Sequence, residues 1–138
     1  MHPTVVWIPM LDSDERTAVP AATRNVGIAT QYFDPDMVFG AAFAASIGLG
    51  RPVFDIYAFY APGAGWTDGP PRPEIAIGKL GGVVVATPGV LPALADQSKL
   101  LPQLRGHLEV VAATQPEFDA LFDKLARQFA AKYPATPR

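Results

Sequence analysis

The spacing of apolar and polar residues over the first sixty positions predicts three strands and two helices. Residues 4–10 form a β-branched and aromatic run between two prolines, which is typical of a buried strand. Residues 27–33 and 53–60 have side chains that alternate between two faces, so strands are predicted there as well. Oxygen-bearing residues at the start of 13–24 and of 35–47 predict two helix N-termini. The pattern therefore favours a domain in which strands and helices alternate.

The second half of the chain continues with strands. We predict them at 74–80, 83–87 and 108–113, where β-branched residues dominate. Leucines at helical spacing favour a helix over 90–106, although Pro92 and Pro102 limit its length.

A last helix is predicted to begin at Pro116 and to end before Pro134. Proline suits the first position of a helix, because its missing N–H would have no partner there. Apolar residues recur every three or four positions along this stretch, as on the buried face of a helix. They are Phe118, Leu121, Phe122, Leu125 and Phe129. Glycines and prolines crowd residues 61–73, which are predicted to form a turn-rich connection.

Composition indicates one packed domain. The chain has 138 residues, of which 49% are hydrophobic and 17% are charged, against roughly 25% charged residues in an average soluble domain. There is no cysteine. Disulfides, thiolate nucleophiles, cysteine-ligated zinc and iron–sulfur clusters are therefore excluded.

Charge narrows the classes of partner. The formal net charge is −2, and the eleven basic residues are spread along the chain. Binding to nucleic acid or to anionic lipid needs a basic patch, so neither partner is expected. No run approaches the roughly 20 apolar residues of a transmembrane helix, so we predict no membrane span. The localisation is left open: the cytoplasm is the default expectation, and export with a removed leader is the alternative.

Several landmarks resemble the thioredoxin-like superfamily. Trp7 stands near the end of the first strand, and Pro20 lies inside the helix that follows. The sequence Gly50-Arg51-Pro52 precedes the third strand, as the cis-proline turn does in that family. The resemblance covers roughly residues 4–80 together with the last helix. It implies a three-layer α/β/α sandwich with a central mixed sheet of four or five strands, plus an extra segment before the C-terminal helix.

The same resemblance implies that this chain is a redox-inactive member. Counting back from Pro20 places Asp12-Ser13-Asp14-Glu15 where thioredoxins carry Cys-x-x-Cys. Both cysteine positions are therefore acidic here. Because carboxylates cannot form a mixed disulfide, the protein is predicted not to catalyse thiol–disulfide exchange.

The predicted site lies at one end of this scaffold. Arg51, Pro52 and Trp66 would meet there with Trp7 and with an acidic turn. That turn contains Asp12, Asp14 and Glu15. An exposed tryptophan in a Gly/Pro loop is typical of a contact surface, because aromatic anchors dominate interfaces. The leading hypothesis is a non-redox binding or interaction domain for a protein or small ligand, with no catalytic residue and no cofactor. The alternative for Trp66 is that it folds back over the edge of the sheet.

Two further classes of function stay open at this level. Asp12, Asp14 or Asp55 could act as acid or base in an enzyme that depends on carboxylates, with or without a divalent metal. Helix capping explains the acidic turn without any ligand, and we therefore predict no metal. Asp55 is unusual because it interrupts an apolar strand, and burying an unpaired acid there would be costly. The third class is a structural or oligomerising module.

Overall fold

The computed structural model describes residues 3–10, 16–18 and 29–134. Asp12, Asp14, Glu15 and most of the helix predicted over 13–24 lie outside the described residues. The part of that helix that is described, Arg16–Ala18, forms a single turn of 3-10 helix.

Six strands and two α-helices form within these residues, so the chain is a mixed α/β protein. The strands are β1 (Thr4–Trp7), β2 (Thr30–Phe33), β3 (Ile56–Phe59), β4 (Ile75–Leu80), β5 (Val83–Ala86) and β6 (Glu109–Ala112), and the helices are α1 (Val38–Ser46) and α2 (Gln115–Lys132). Every predicted strand is present and each is shorter than predicted, while residues 27–28 of the second lie outside the described residues. The turn-rich connection over 61–73 contains neither helix nor strand, as predicted.

The strands belong to two sheets and not to the single mixed sheet that the sequence led us to expect. β1 and β2 pair in parallel, with Thr4 opposite Thr30 and Trp7 opposite Phe33. The other four strands form an antiparallel sheet in the order β3-β4-β5-β6. Short connections explain the antiparallel pairing of β4 with β5. Gly81 and Gly82 both have positive φ, the backbone conformation that a two-residue hairpin requires.

The antiparallel sheet is apolar on both faces, with α1 on one and α2 on the other. Along β5, Val83 and Val85 belong to the core on the α1 side, whereas Val84 and Ala86 belong to the core on the α2 side. This division follows from the alternation of side chains along a strand. The four-stranded sheet is therefore the middle of three layers.

Helix α2 confirms the prediction of a terminal helix. Its N-cap is Thr114, which forms a capping box with Glu117: each side chain accepts a hydrogen bond from the other residue's backbone N–H. The buried face consists of Phe118, Leu125 and Phe129. In the described part of the chain, no helix is both long and apolar enough to cross a membrane.

Helix α1 begins three residues later than predicted. Asp34 still contacts the start of this helix, because its two carboxylate oxygens accept hydrogen bonds from Val38 N (2.9 Å) and Gly40 N (3.0 Å). Met37, the residue before Val38, adopts a left-handed conformation with φ of 54°. This conformation keeps residues 35–37 out of the helix. The Asp34 side chain therefore does bind the first turn of the helix, but the N-cap residue is Met37 and the predicted first residue is wrong.

The structure contradicts the helix predicted over 90–106. In the structure this segment is irregular apart from a 3-10 turn at Pro102–Leu104. Leu91, Leu100 and Leu104 are nevertheless buried. Their spacing therefore reflects a loop that packs on the core, and the two prolines prevent a regular helix.

Candidate functional site

Trp66 is the most prominent aromatic residue on the surface of the 61–73 loop. Half of it is exposed, at 51% of its full accessible area. Its ring stacks on Phe39 of α1, with centroids 5.9 Å apart and planes at 10°. It also lies against Tyr60, with centroids 4.9 Å apart and planes at 57°. The indole is thus fixed on its inner side and open to solvent on its outer side.

The stack continues from the surface into the core. Phe39 packs nearly parallel on Phe43, with centroids 6.4 Å apart, and Phe43 is buried between α1 and the sheet. Such aromatic pairs stabilise by about 0.5–1.5 kcal/mol beyond the area they bury. Because the inner rings belong to the rigid core, Trp66 is held in place although it belongs to a loop.

A groove lies beside this stack, between α1 and the loop. Its volume is about 490 Å³. Small side chains form its floor on α1, and glycine, threonine, aspartate and proline form its loop wall. The lining residues are Ala42, Ala45, Ser46, Gly65, Thr67, Asp68, Gly69, Pro70 and Pro71. The groove is shallow and mostly uncharged, as suits an extended segment with small apolar side chains.

The first turn of α1 links Trp66 to Pro52. Phe39 contacts Trp66, and the next residue, Gly40, lies between Ile8 and Pro52. A Cβ built on Gly40 would be 3.4 Å from Ile8 Cδ1 and 3.5 Å from Pro52 Cβ. The structure therefore places Pro52 and Trp66 at one end of the same helix.

The other predicted site residues are placed as follows. Trp7 lies at the end of β1, and its Nε1–H donates a hydrogen bond to Gln31 Oε1 at 3.1 Å. Arg51 is exposed, and in residues 3–10, 16–18 and 29–134 it has no ion-pair partner. The peptide bond before Pro52 is trans, which departs from the cis-proline turn of thioredoxins. Asp12, Asp14 and Glu15 lie outside the described residues.

Tyr60 lies beneath Trp66 and is buried enough to change its acidity. Burial raises the pKa of the Tyr60 phenol to about 12, because the charged phenolate is poorly solvated there. Its hydroxyl is buried without a hydrogen-bond partner among the described residues. The phenol therefore stays protonated at neutral pH, and its ring supports the indole.

A second cavity surrounds Asp55, on the opposite face of the sheet from α1. Its volume is about 240 Å³, and it is lined by Asp55, Tyr57, Lys79, Gln115 and Phe118. Asp55 has a positive φ of 55°. This conformation is why β3 starts only at Ile56, later than predicted. The interrupted apolar pattern drew attention to Asp55, but no local signal pointed to Lys79 or Gln115.

The described part of the chain contains no cluster of metal-ligating side chains. No group of three or more histidine, cysteine, aspartate or glutamate side chains is placed there to hold an ion. The acidic turn, on which the prediction of a divalent metal would depend, is outside it.

Comparisons with protein-family models, with curated proteins and with solved structures gave no match for this chain.

Proposed function

We propose that the protein is a non-redox binding domain with a thioredoxin-like core, which holds a partner protein along α1, in the groove between this helix and the 61–73 loop. The observation that supports this most directly is the fixed but half-exposed indole of Trp66 on Phe39. A tryptophan whose ring is already ordered loses little conformational freedom when a partner covers it. Such rigid aromatic residues are the usual energetic centres of interfaces.

The groove beside Trp66 indicates the form of the partner. Small residues on α1 allow a backbone to approach closely, and Pro70 and Pro71 present an apolar wall. An extended segment with small apolar side chains matches this shape. Arg51 and the acidic turn (Asp12, Asp14 and Glu15) remain predicted partner contacts, and the acidic turn lies outside the described residues.

The thioredoxin-like part of the proposal rests on element order and on layers. A parallel β1–β2 pair is followed by α1, then by a proline-led strand, and finally by a terminal helix. It further requires the first strand to pack beside β3. An experimental structure in which β1 lies against β3 would support it, and one that keeps β1 and β3 on opposite sides of the molecule would contradict it.

Binding can be tested with the protein's own fluorescence, because the chain has two tryptophans. In the variant Trp7→Phe, Trp66 is the sole tryptophan. Short random peptides would be selected against the wild-type protein, and the selected peptides titrated into this variant. We expect a change in Trp66 emission on binding, and at least a tenfold loss of affinity in Trp66→Ala.

Tyr32→Ala is the matched control, because Tyr32 is an exposed aromatic residue of β2 outside the groove. It should bind the selected peptides as the wild type does. Failure to select any peptide, or equal loss of affinity in both alanine variants, would argue against the proposed surface.

A further inference from the structure

The cavity around Asp55 brings together one carboxylate residue, one ammonium residue and two aromatic rings. Asp55 directly precedes β3, and Tyr57 belongs to that strand. Lys79 belongs to β4, and Gln115 and Phe118 belong to the first turn of α2. These residues are up to 63 positions apart in the chain, between Asp55 and Phe118. The cavity is therefore a product of the tertiary fold.

Asp55 and Lys79 line the same cavity but do not form an ion pair with each other. In the described part of the chain neither Asp55 nor Lys79 has an ion-pair partner within 4.0 Å. Lys79 Nζ instead donates a hydrogen bond to Gln115 Oε1 at 2.8 Å. Gln115 Nε2 in turn donates to Asp119 Oδ1 at 2.8 Å, which fixes the orientation of the amide. The ammonium group is thus held on the α2 side of the cavity.

The backbone of Asp55 is held by contacts with β4. Its carbonyl oxygen accepts a hydrogen bond from Lys79 N at 3.1 Å. It also passes directly over Gly78, where an added Cβ would be 2.3 Å from that oxygen. The left-handed conformation of Asp55 is tolerated best by glycine, asparagine and aspartate. Aspartate is therefore one of the few residue types that this backbone conformation tolerates.

We propose that this cavity binds a small zwitterion, namely a free amino acid, with its ammonium group at Asp55 and its carboxylate at Lys79. The rings of Phe118 and Tyr57, whose centroids are 5.7 Å apart, would contact its carbon atoms. The volume of about 240 Å³ lies below the roughly 300–1,000 Å³ of pockets for drug-sized ligands, which restricts the ligand to a small molecule. This site is separate from the Trp66 surface and does not depend on the function proposed for it.

The test uses ligands from which one charge has been removed. Glycine, alanine and β-alanine would be titrated into the full-length protein, with the backbone amide signals of Tyr57, Gly78 and Lys79 followed by NMR. N-acetylglycine lacks the ammonium charge, and glycinamide lacks the carboxylate. We expect at least one zwitterion to bind at least tenfold more tightly than either single-charge analogue, since each charged contact is a strong one. If no zwitterion shifts these signals at millimolar concentration, the proposal is wrong.

Two variants then assign the charges. Asp55→Asn keeps the shape and suits the left-handed conformation, and it should abolish the preference for glycine over N-acetylglycine while keeping the preference over glycinamide. Lys79→Gln should do the reverse. Asp36→Asn and Lys99→Gln remove exposed charges outside the cavity and should leave both preferences unchanged. If Asp55→Asn and Lys79→Gln leave both preferences unchanged as well, the zwitterion binds elsewhere and the assignment is overturned.

Discussion

The side chain of Gln97 pairs with both backbone groups of Val110, as a neighbouring strand would. Val110 N donates to Gln97 Oε1 at 2.8 Å, and Gln97 Nε2 donates to Val110 O at 3.0 Å. The same Nε2 donates to Leu94 O at 2.7 Å. β6 is an edge strand of the four-stranded sheet. One glutamine therefore covers part of an edge that would otherwise expose unpaired backbone groups.

Gln97→Ala should destabilise the protein by about 1–3 kcal/mol, because it leaves Val110 N buried without a partner. Val110 O keeps a hydrogen bond from Leu94 N at 2.8 Å, whereas Leu94 O, which belongs to an exposed residue, loses its hydrogen bond from Gln97 Nε2. Denaturant unfolding measures the change in the free energy of unfolding.

Gln128→Ala is the control, since Gln128 is an exposed residue of α2. It should change the free energy of unfolding by less than about 0.5 kcal/mol. An equal effect of the two substitutions would mean that the contacts of Gln97 with β6 contribute nothing.

Part of this fold is predictable from the sequence because local signals agree there. In α2, the apolar spacing, Pro116 and Glu117 all indicate the same helix start to within one residue. In β5, a β-branched run follows two glycines, and the observed hairpin uses both. Such elements need no knowledge of the rest of the chain.

Other parts depend on contacts between distant residues. The leucines of 90–106 are buried in either a helix or a packed loop, so their spacing cannot separate the two. From the sequence alone Gln97 resembles any polar surface residue, because its contacts with β6 form only in the folded structure. In the same way, Asp55 and Pro52 stand out in the sequence, but Lys79, which lines the cavity with Asp55, is recognised only from the register of β3 on β4.

Gly78 should be intolerant of a side chain, although it lies in the middle of a strand. A Cβ there would be 2.3 Å from Asp55 O and 3.0 Å from Ile56 Cα, and backbone atoms cannot move aside cheaply. We expect Gly78→Ala to lower the free energy of unfolding by about 1–3 kcal/mol or more, as measured by denaturant unfolding. Gly50→Ala is the control, because nothing lies within 4 Å of its added Cβ. Equal stability of the two variants would show that the backbone of Asp55 and Ile56 does not lie against Gly78.

Tyr60 should ionise later than the ordinary tyrosine pKa of about 10. Burial raises its pKa to about 12, so the folded state holds the phenolic proton more tightly than the unfolded state does. Ionisation of Tyr60 therefore leaves the stability of the fold unaffected below pH 10, and the stability falls as the pH rises from 10 through 12. An alkaline titration followed by tyrosinate absorbance should therefore show a late phase.

Tyr60→Phe should remove that late phase, and Tyr32→Phe, a change at an exposed ring, should leave it in place. Tyr60→Phe should also leave the free energy of unfolding at neutral pH unchanged or raise it, because it removes a hydroxyl that is buried without a partner among the described residues. A late phase that persists in Tyr60→Phe would contradict the assignment.

Glu74 connects the start of β4 to the end of α2 and should make stability depend on acid. Its carboxylate accepts hydrogen bonds from Lys132 Nζ and, at 2.7 Å, from the Tyr133 hydroxyl. These two hydrogen bonds lower the pKa of Glu74 below its usual range, with the Lys132 contact as the larger cause. A carboxyl group with a lowered folded pKa stabilises the protein above the ordinary value of about 4.3, and this contribution is lost as the pH falls below it.

Glu74→Gln should therefore lower the stability at pH 7 and reduce the further loss of stability between pH 5 and strong acid, as measured by thermal unfolding across pH. Tyr133→Phe should have part of the same effect, because it removes one of the two hydrogen bonds to the carboxylate. Asp123→Asn breaks a pair with Arg127 in which both side chains are largely exposed, and such surface pairs contribute little. If Glu74→Gln and Asp123→Asn have the same acid profile, the contact between β4 and the end of α2 does not hold the helix in place. The rings of Phe129 and Tyr133 lie 5.0 Å apart in a tilted arrangement at the same end of the helix, so the helix end would then depend on apolar packing alone.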